Sequence, residues 1–159
     1  MNKQAVIRKI LDHLAGELEL YTRAARTSFA EATDEQSRSE NKYDTRGLEA
    51  SYLARGQARQ VAETEESLRV FKTLGTRGLG PGEPVAIGAL VELESRGGRA
   101  FYLIGSRAGG TEVEVDGQEV LVLTPESPLG AQLMGRHAGE QLKLTLAGTR
   151  HNHSVVSVS

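Results

Sequence analysis

From Ile7 onward, apolar or small residues return at alternating steps of three and four: Ile7, Ile10 or Leu11, Leu14, Leu18, Tyr21, Ala25, Ser28 and Ala32. Glu17, Glu19 and Arg23 fall off that stripe. The spacing is the seam of a packed helix. About thirty residues without proline make a helix of roughly 45 Å, and a stripe of that length needs a partner. A weaker stripe over residues 45–73 supplies one, through Leu48, Tyr52 or Leu53, Ala58, Val61, Leu68 and Phe71. Gly47 and Gly56 each cost this second helix about 1 kcal/mol in propensity, while small residues let two helices approach closely. The simplest arrangement is an antiparallel hairpin with its turn near 34–44, and self-association through the same stripe is the alternative.

Near residue 75 the pattern changes. Residues 1–74 hold only Gly16, Gly47 and Gly56, and the other glycines of the 18 follow. LGTRGLGPGEP is rich in chain breakers and reads as a linker. Short runs of strand character come next: VAIGALVELE, RAFYLIG, GTEVEVDGQEVLVLT with a turn at Asp116-Gly117, and EQLKLTLAG. Between them Ser127 caps a short helix with Pro128 at its first position. Leu129, Leu133 and Met134 turn inward there, and Gly135 ends it. In the last run, HNHSVVSVS, strand alternation puts His151, His153, Val155 and Ser157 on one face and Asn152, Ser154, Val156 and Val158 on the other. The expected product is a sheet of five or six strands with one short helix.

Composition narrows the chemistry. The chain has 159 residues, a formal net charge of -2 and no cysteine. Disulfides and thiolate metal sites are excluded, and no basic excess argues for a broad nucleic-acid surface. The charged N-terminal stretch lacks the apolar run of a signal peptide or membrane span, so a soluble cytoplasmic protein is expected. Of the seven aromatics only Phe101 and Tyr102 lie in the second half, on opposite faces of one strand.

The helical turn carries the strongest candidate site. Residues 31–44 hold five carboxylates (Glu31, Asp34, Glu35, Glu40, Asp44) against Arg38 and Lys42. Crowded like charges cost free energy unless something binds them. Carboxylates are hard oxygen ligands suited to Mg²⁺, above all where they complete a site that already holds other ligands. The competing reading is a solvated turn in which Ser39 or Asn41 caps the second helix and Asp44 sits in its first turn. Elsewhere the signals are thin. GTRGLGPG lacks the lysine and the strand–loop–helix frame of a phosphate loop. GSRAGG at 105–110 has the glycines of an anion nest, though a connecting loop explains it better. His137, His151 and His153 make at most a weak metal cluster. Ser127 is a helix cap rather than a nucleophile.

Taken in order, these features resemble the GreA/GreB family of bacterial transcript-cleavage factors over nearly the whole chain. Near the tip that family carries an acidic residue, two intervening positions, Glu-Asn and a nearby Tyr. Here the run is Ser37-Arg38-Ser39-Glu40-Asn41, with Tyr43 displaced by a position or two. In SPLGAQLMGRHAGEQLKL, residues 127–144, Ser127, Pro128, Leu133, Gly135 and Gly139 match the family pattern, as do Gly88-Ala89 and Tyr102–Gly105.

The resemblance implies an α+β protein in three parts: a coiled-coil hairpin over 1–75, a linker over 76–83, and an FKBP-like β-rich docking domain over 84–159. It also implies a monomeric transcription factor that binds bacterial RNA polymerase. The hairpin enters the secondary channel and contacts the transcribed RNA only indirectly. Glu40 and Asp44, with Asp34 and Glu35 as further candidates, are the accessory tip carboxylates. Glu40 and Asp44 are the expected ligands of the second Mg²⁺, which belongs to the polymerase active site, so the factor alone is no enzyme and needs no cofactor. The departure is Ser37, which stands where the family has its first acid. Asp34, Glu35 or Asp44 would have to replace it for RNA cleavage to be stimulated. A non-cleaving modulator of initiation or elongation is therefore the alternative. A stand-alone prolyl isomerase, suggested by the FKBP-like likeness, lacks an aromatic-lined cleft. A coiled-coil adaptor for an unrelated partner is the remaining reading.

Overall fold

The computed structural model describes residues 1–33, 46–74, 78–80 and 82–159. Two long helices come first, α1 (Lys3–Thr33, 31 residues) and α2 (Arg46–Leu74, 29 residues), and they form a two-helix hairpin. A six-stranded sheet with one short helix follows: β1 (Leu90–Ser95), β2 (Gly98–Ile104), β3 (Glu112–Val115), β4 (Gln118–Leu123), α3 (Pro128–Leu133), β5 (Gln141–Leu146) and β6 (Thr149–Val158). The chain divides into two compact units, Asp12–Arg69 and Met1–Leu11 with Val70–Ser159.

Within Asp12–Arg69 the α1 stripe holds as expected: Leu14 and Ser28 are buried, and Leu18, Tyr21 and Ala25 half-buried. The α2 stripe runs elsewhere than its apolar residues suggest. Leu48, Tyr52 and Leu53 are 56%, 62% and 53% exposed, and Ala58 is exposed too. The covered positions are Ser51, Ala54, Gln57, Val61, Thr64, Ser67 and Leu68. Leu68 and Val61 set the phase, and the 3.6-residue period then carries Gln57, Ala54 and Ser51 to the same side. The hydroxyls of Ser28, Thr64 and Ser67 on this seam find acceptors within the hairpin. Ser28 Oγ donates to Gln57 Oε1 across the hairpin at 2.5 Å, and Thr64 and Ser67 donate to the Gln60 and Glu63 carbonyls.

In the other unit Val6, Ile10 and Phe71 are fully buried. Gly105 leaves room for the Phe71 ring, since a Cβ there would lie 3.0 Å from Phe71 Cζ. The sheet order is β3-β4-β2-β1-β6-β5, antiparallel except for the parallel β2–β4 pair. Val85, Val91, Leu93, Ile104, Leu133, Leu144 and Val155 form its core. Each such side chain stabilises the fold by about 1.5–3 kcal/mol through burial.

The first strand begins at Leu90, not at Val85. Residues 86–89 form a turn closed by Ala89 N–H to the Ala86 carbonyl at 2.9 Å. Gly88 at φ 92 supplies the positive φ such a turn requires at its third position. Val85 instead pairs with the chain after α3, donating to Arg136 O and accepting from Gly135 N. The Asp116-Gly117 turn is present, with φ values of 53 and 73, and Ala147-Gly148 makes a second of the same kind.

Alternation along β6 breaks at a bulge. Glu92 faces Ser157 while Leu93 faces Val155, so Val156 is the extra residue. Val155 and Val158 therefore both pack toward the core, and Ser157 turns outward to donate to Glu92 Oε2 at 3.2 Å. The expected face sharing of Val155 with Ser157 fails for that reason.

α3 follows its sequence signals closely. Ser127 Oγ accepts from Gly130 N at 3.1 Å, Pro128 opens the helix, and Leu133 is buried with Leu129 and Met134 packed beside it. At Gly130 any Cβ would collide with the Thr124 carbonyl oxygen.

Two glycine replacements should therefore diverge. Gly130→Ala should lower stability by about 1–3 kcal/mol, because backbone must move. Gly16→Ala, where a Cβ meets nothing within 4 Å on a helix, should raise it by about 0.5–1 kcal/mol. Urea unfolding followed by circular dichroism reads both.

Candidate functional site

Asp34, Glu35, Glu40 and Asp44 lie outside the described residues, as do Ser37, Asn41 and Tyr43. What is described are the helix ends that bracket them. Thr33, the last described residue of α1, donates its hydroxyl to Phe29 O at 3.0 Å, and Glu49 lies in the first described turn of α2. Glu31 is exposed in the last turn of α1. Among the described residues no group of three or more His, Asp or Glu side chains is placed to hold a metal ion. No described helix is long and apolar enough to cross a membrane.

The minor candidates resolve into structural roles. Ser127 spends its hydroxyl on the α3 cap and on Thr124 O, 2.7 Å away. In the 105–110 loop the Gly105 and Gly110 N–H groups donate to Leu123 O and Val122 O, so they are not free to cradle an anion. His137 turns to Glu140: its backbone N–H donates to Glu140 Oε1 at 2.9 Å and its Nδ1 lies 3.1 Å from the same oxygen. The His137 N–H, then its ring, then Arg136 hold the Glu140 carboxyl below the ordinary glutamate value. His151 and His153 do share a face, with rings edge-to-face at 6.4 Å.

Reasoning from the sequence missed a cleft beside these histidines. It comprises two overlapping hollows of about 700 and 740 Å³, between the turn after β1 and the β5–β6 hairpin. Arg96, Lys143 and Arg150 line it. Lys143 and Arg150 belong to one hairpin and Arg96 to the turn after β1, and only the pairing of the strands within the sheet brings Arg96 beside the other two.

A two-helix hairpin followed by a mixed sheet with one capped helix is thus the class that the fold defines. No protein-family model matches the chain, and no curated protein matches it. Solved structures do. The GreA factor homolog 1 (Gfh1) of Thermus thermophilus is 23% identical over 94% of each chain, with a TM-score of 0.40. Gfh1 of Thermus aquaticus is 22% identical over 92% of each, with a TM-score of 0.41. A GreA/GreB elongation factor from Nitrosomonas europaea is 13% identical over 70% of this chain and 92% of its own, with a TM-score of 0.36.

The Glu140 cluster gives a pH-dependent expectation. A carboxyl whose folded pKa is depressed contributes stability above its unfolded pKa and loses it as pH falls through the folded value. Carbon-detected NMR titration should show Glu140 titrating below the ordinary glutamate value, and Glu140→Gln should remove that component from the acid limb of the stability curve.

Proposed function

We propose that the protein is a Gre-like accessory factor that enters the secondary channel of bacterial RNA polymerase and modulates transcription without stimulating RNA cleavage. The observation that carries the reading is an acidic connection, net −3 over residues 31–44, held between two helices of 31 and 29 residues. Helices of that length, about 45 Å each, give the reach and stiffness to bring the connection to a buried active centre. In this reading the sheet domain, FKBP-like in fold, is the docking base, and residues 76–83 join it to the hairpin.

Ser37 favours modulation over cleavage. Where the GreA/GreB run has an acid, this chain offers a neutral hydroxyl, a poor ligand for Mg²⁺ beside Glu40. One carboxylate added to the polymerase's own ligands does not rebuild a two-acid clamp on the second metal. The cleaving alternative requires Asp34, Glu35 or Asp44 to take that place, with Glu40 and Asp44 meeting the Mg²⁺. In either case the polymerase supplies the metal and performs the chemistry. The factor acts as a cytoplasmic monomer and meets the transcript only indirectly.

Backtracked polymerase complexes test this. The wild-type protein should bind polymerase yet leave the rate of transcript shortening unchanged, whereas Ser37→Asp should accelerate it and Glu40→Ala should cancel that gain. Acceleration by the wild type, lost in Glu40→Ala or Asp44→Ala, would establish the cleaving alternative instead. Failure to bind polymerase would defeat both readings.

A further inference from the structure

β6 is longer than its neighbour. β1 pairs with it only from Ser154 to Val158, while β5 pairs with it from Thr149 to Ser154. From Thr149 to His153, then, β6 has a strand on one side only. Its other side faces the turn at Ser95–Gly97 across the cleft.

The hydrogen-bond alternation says which backbone groups are left over. Thr145 turns its N–H and carbonyl away from β6, toward the Gln132 side-chain amide, at 2.9 and 3.3 Å. Thr145 opposes Arg150 and Lys143 opposes Asn152, so these are the non-hydrogen-bonded pairs of the ladder. The N–H and carbonyl groups of Arg150 and Asn152 therefore point away from β5, toward the cleft. On β5 the Gln132 amide stands in for a missing strand at Thr145. No such group among the described residues covers Arg150 and Asn152.

The same cleft concentrates positive charge in a protein of net charge -2. Arg96, Lys143 and Arg150 are exposed, and none meets a carboxylate among the described residues. The rim carboxylate, Glu94, is already beside Arg99 at 3.6 Å. Gln141, Asn152 and Ser154 supply neutral donors and acceptors. Phe, Tyr and Trp are absent from the lining, so bases have nothing to stack on. An unpaired strand edge, by contrast, is a template for an extended peptide.

We propose that this cleft binds an extended acidic peptide segment of a partner protein, which adds as a strand to the open edge of β6 at Arg150–Asn152 and sets its carboxylates against Arg96, Lys143 and Arg150. The site lies wholly in the sheet domain and does not depend on the acidic helical connection or on the polymerase reading.

The test titrates the full-length protein with a fluorescent alternating Glu-Thr peptide, a matching Gln-Thr peptide and a short oligothymidylate. The acidic peptide should bind, weaken with added salt, and slow hydrogen exchange at the Arg150 and Asn152 amides. Lys143→Glu with Arg150→Glu should weaken it about tenfold, and Arg96→Glu, in an exposed turn, should do so in part. Thermal melts establish that the variants are folded, and Arg96→Glu alone carries the charge test if the double variant is not. Equal binding of the Gln-Thr peptide, tighter binding of the oligonucleotide, or binding without protection at Arg150 and Asn152 would each overturn the proposal. So would the absence of any binding.

Discussion

Leu14 on α1 and Leu68 and Val61 on α2 are the residues whose burial sets how the hairpin is built. Gly16 and Gly56 weaken the intrinsic propensity of these helices, and most of a protein helix's stability comes from packing its covered face. Their persistence depends on covering one stripe of each by the other. Once a few bulky side chains face inward, helical geometry dictates every other inward position, whatever residue stands there. That is why Ser51, Gln57 and Thr64 are covered while Tyr52 and Leu53 face water. The seam tolerates Ser28, Thr64 and Ser67 because their hydroxyls find acceptors, either across the seam at Gln57 or on their own helix.

The sheet domain solves a different problem, the closing of a mixed six-stranded sheet around one core. Val91 and Leu93 stand on one face of β1, and the core needs an apolar partner for each on β6. Strict alternation offers Val155 with Ser157 or Val156 with Val158. The bulge at Val156 lets Val155 and Val158 serve together. α3 covers the same core from outside the sheet. Its Gln132 also reaches the β5 edge at Thr145, where a side-chain amide occupies the groups that an intruding strand would seek.

These two parts separate the functional possibilities as well. On the proposed reading, the acidic run between the two long helices is what meets a metal-bearing centre, and Ser37 in place of an acid favours contact without cleavage. A cationic cleft at a sheet edge suits capture of an acidic strand. The run over residues 31–44 and the cleft at the sheet edge carry opposite signs of charge in a chain of nearly balanced charge.

Much of this was legible locally. The α1 stripe, the Asp116-Gly117 turn, the Ser127-Pro128 cap and the inward Leu133 were readable because each depends on residues within a few positions of one another. So was the acidic run at 31–44. Tertiary structure alone decided the phase of the α2 seam, the late start of β1 at Leu90, the bulge at Val156 and the meeting of Arg96, Lys143 and Arg150. Each is a matter of register, fixed by which distant residue a segment packs or pairs against. Short-range propensity and periodicity carry no term for that choice.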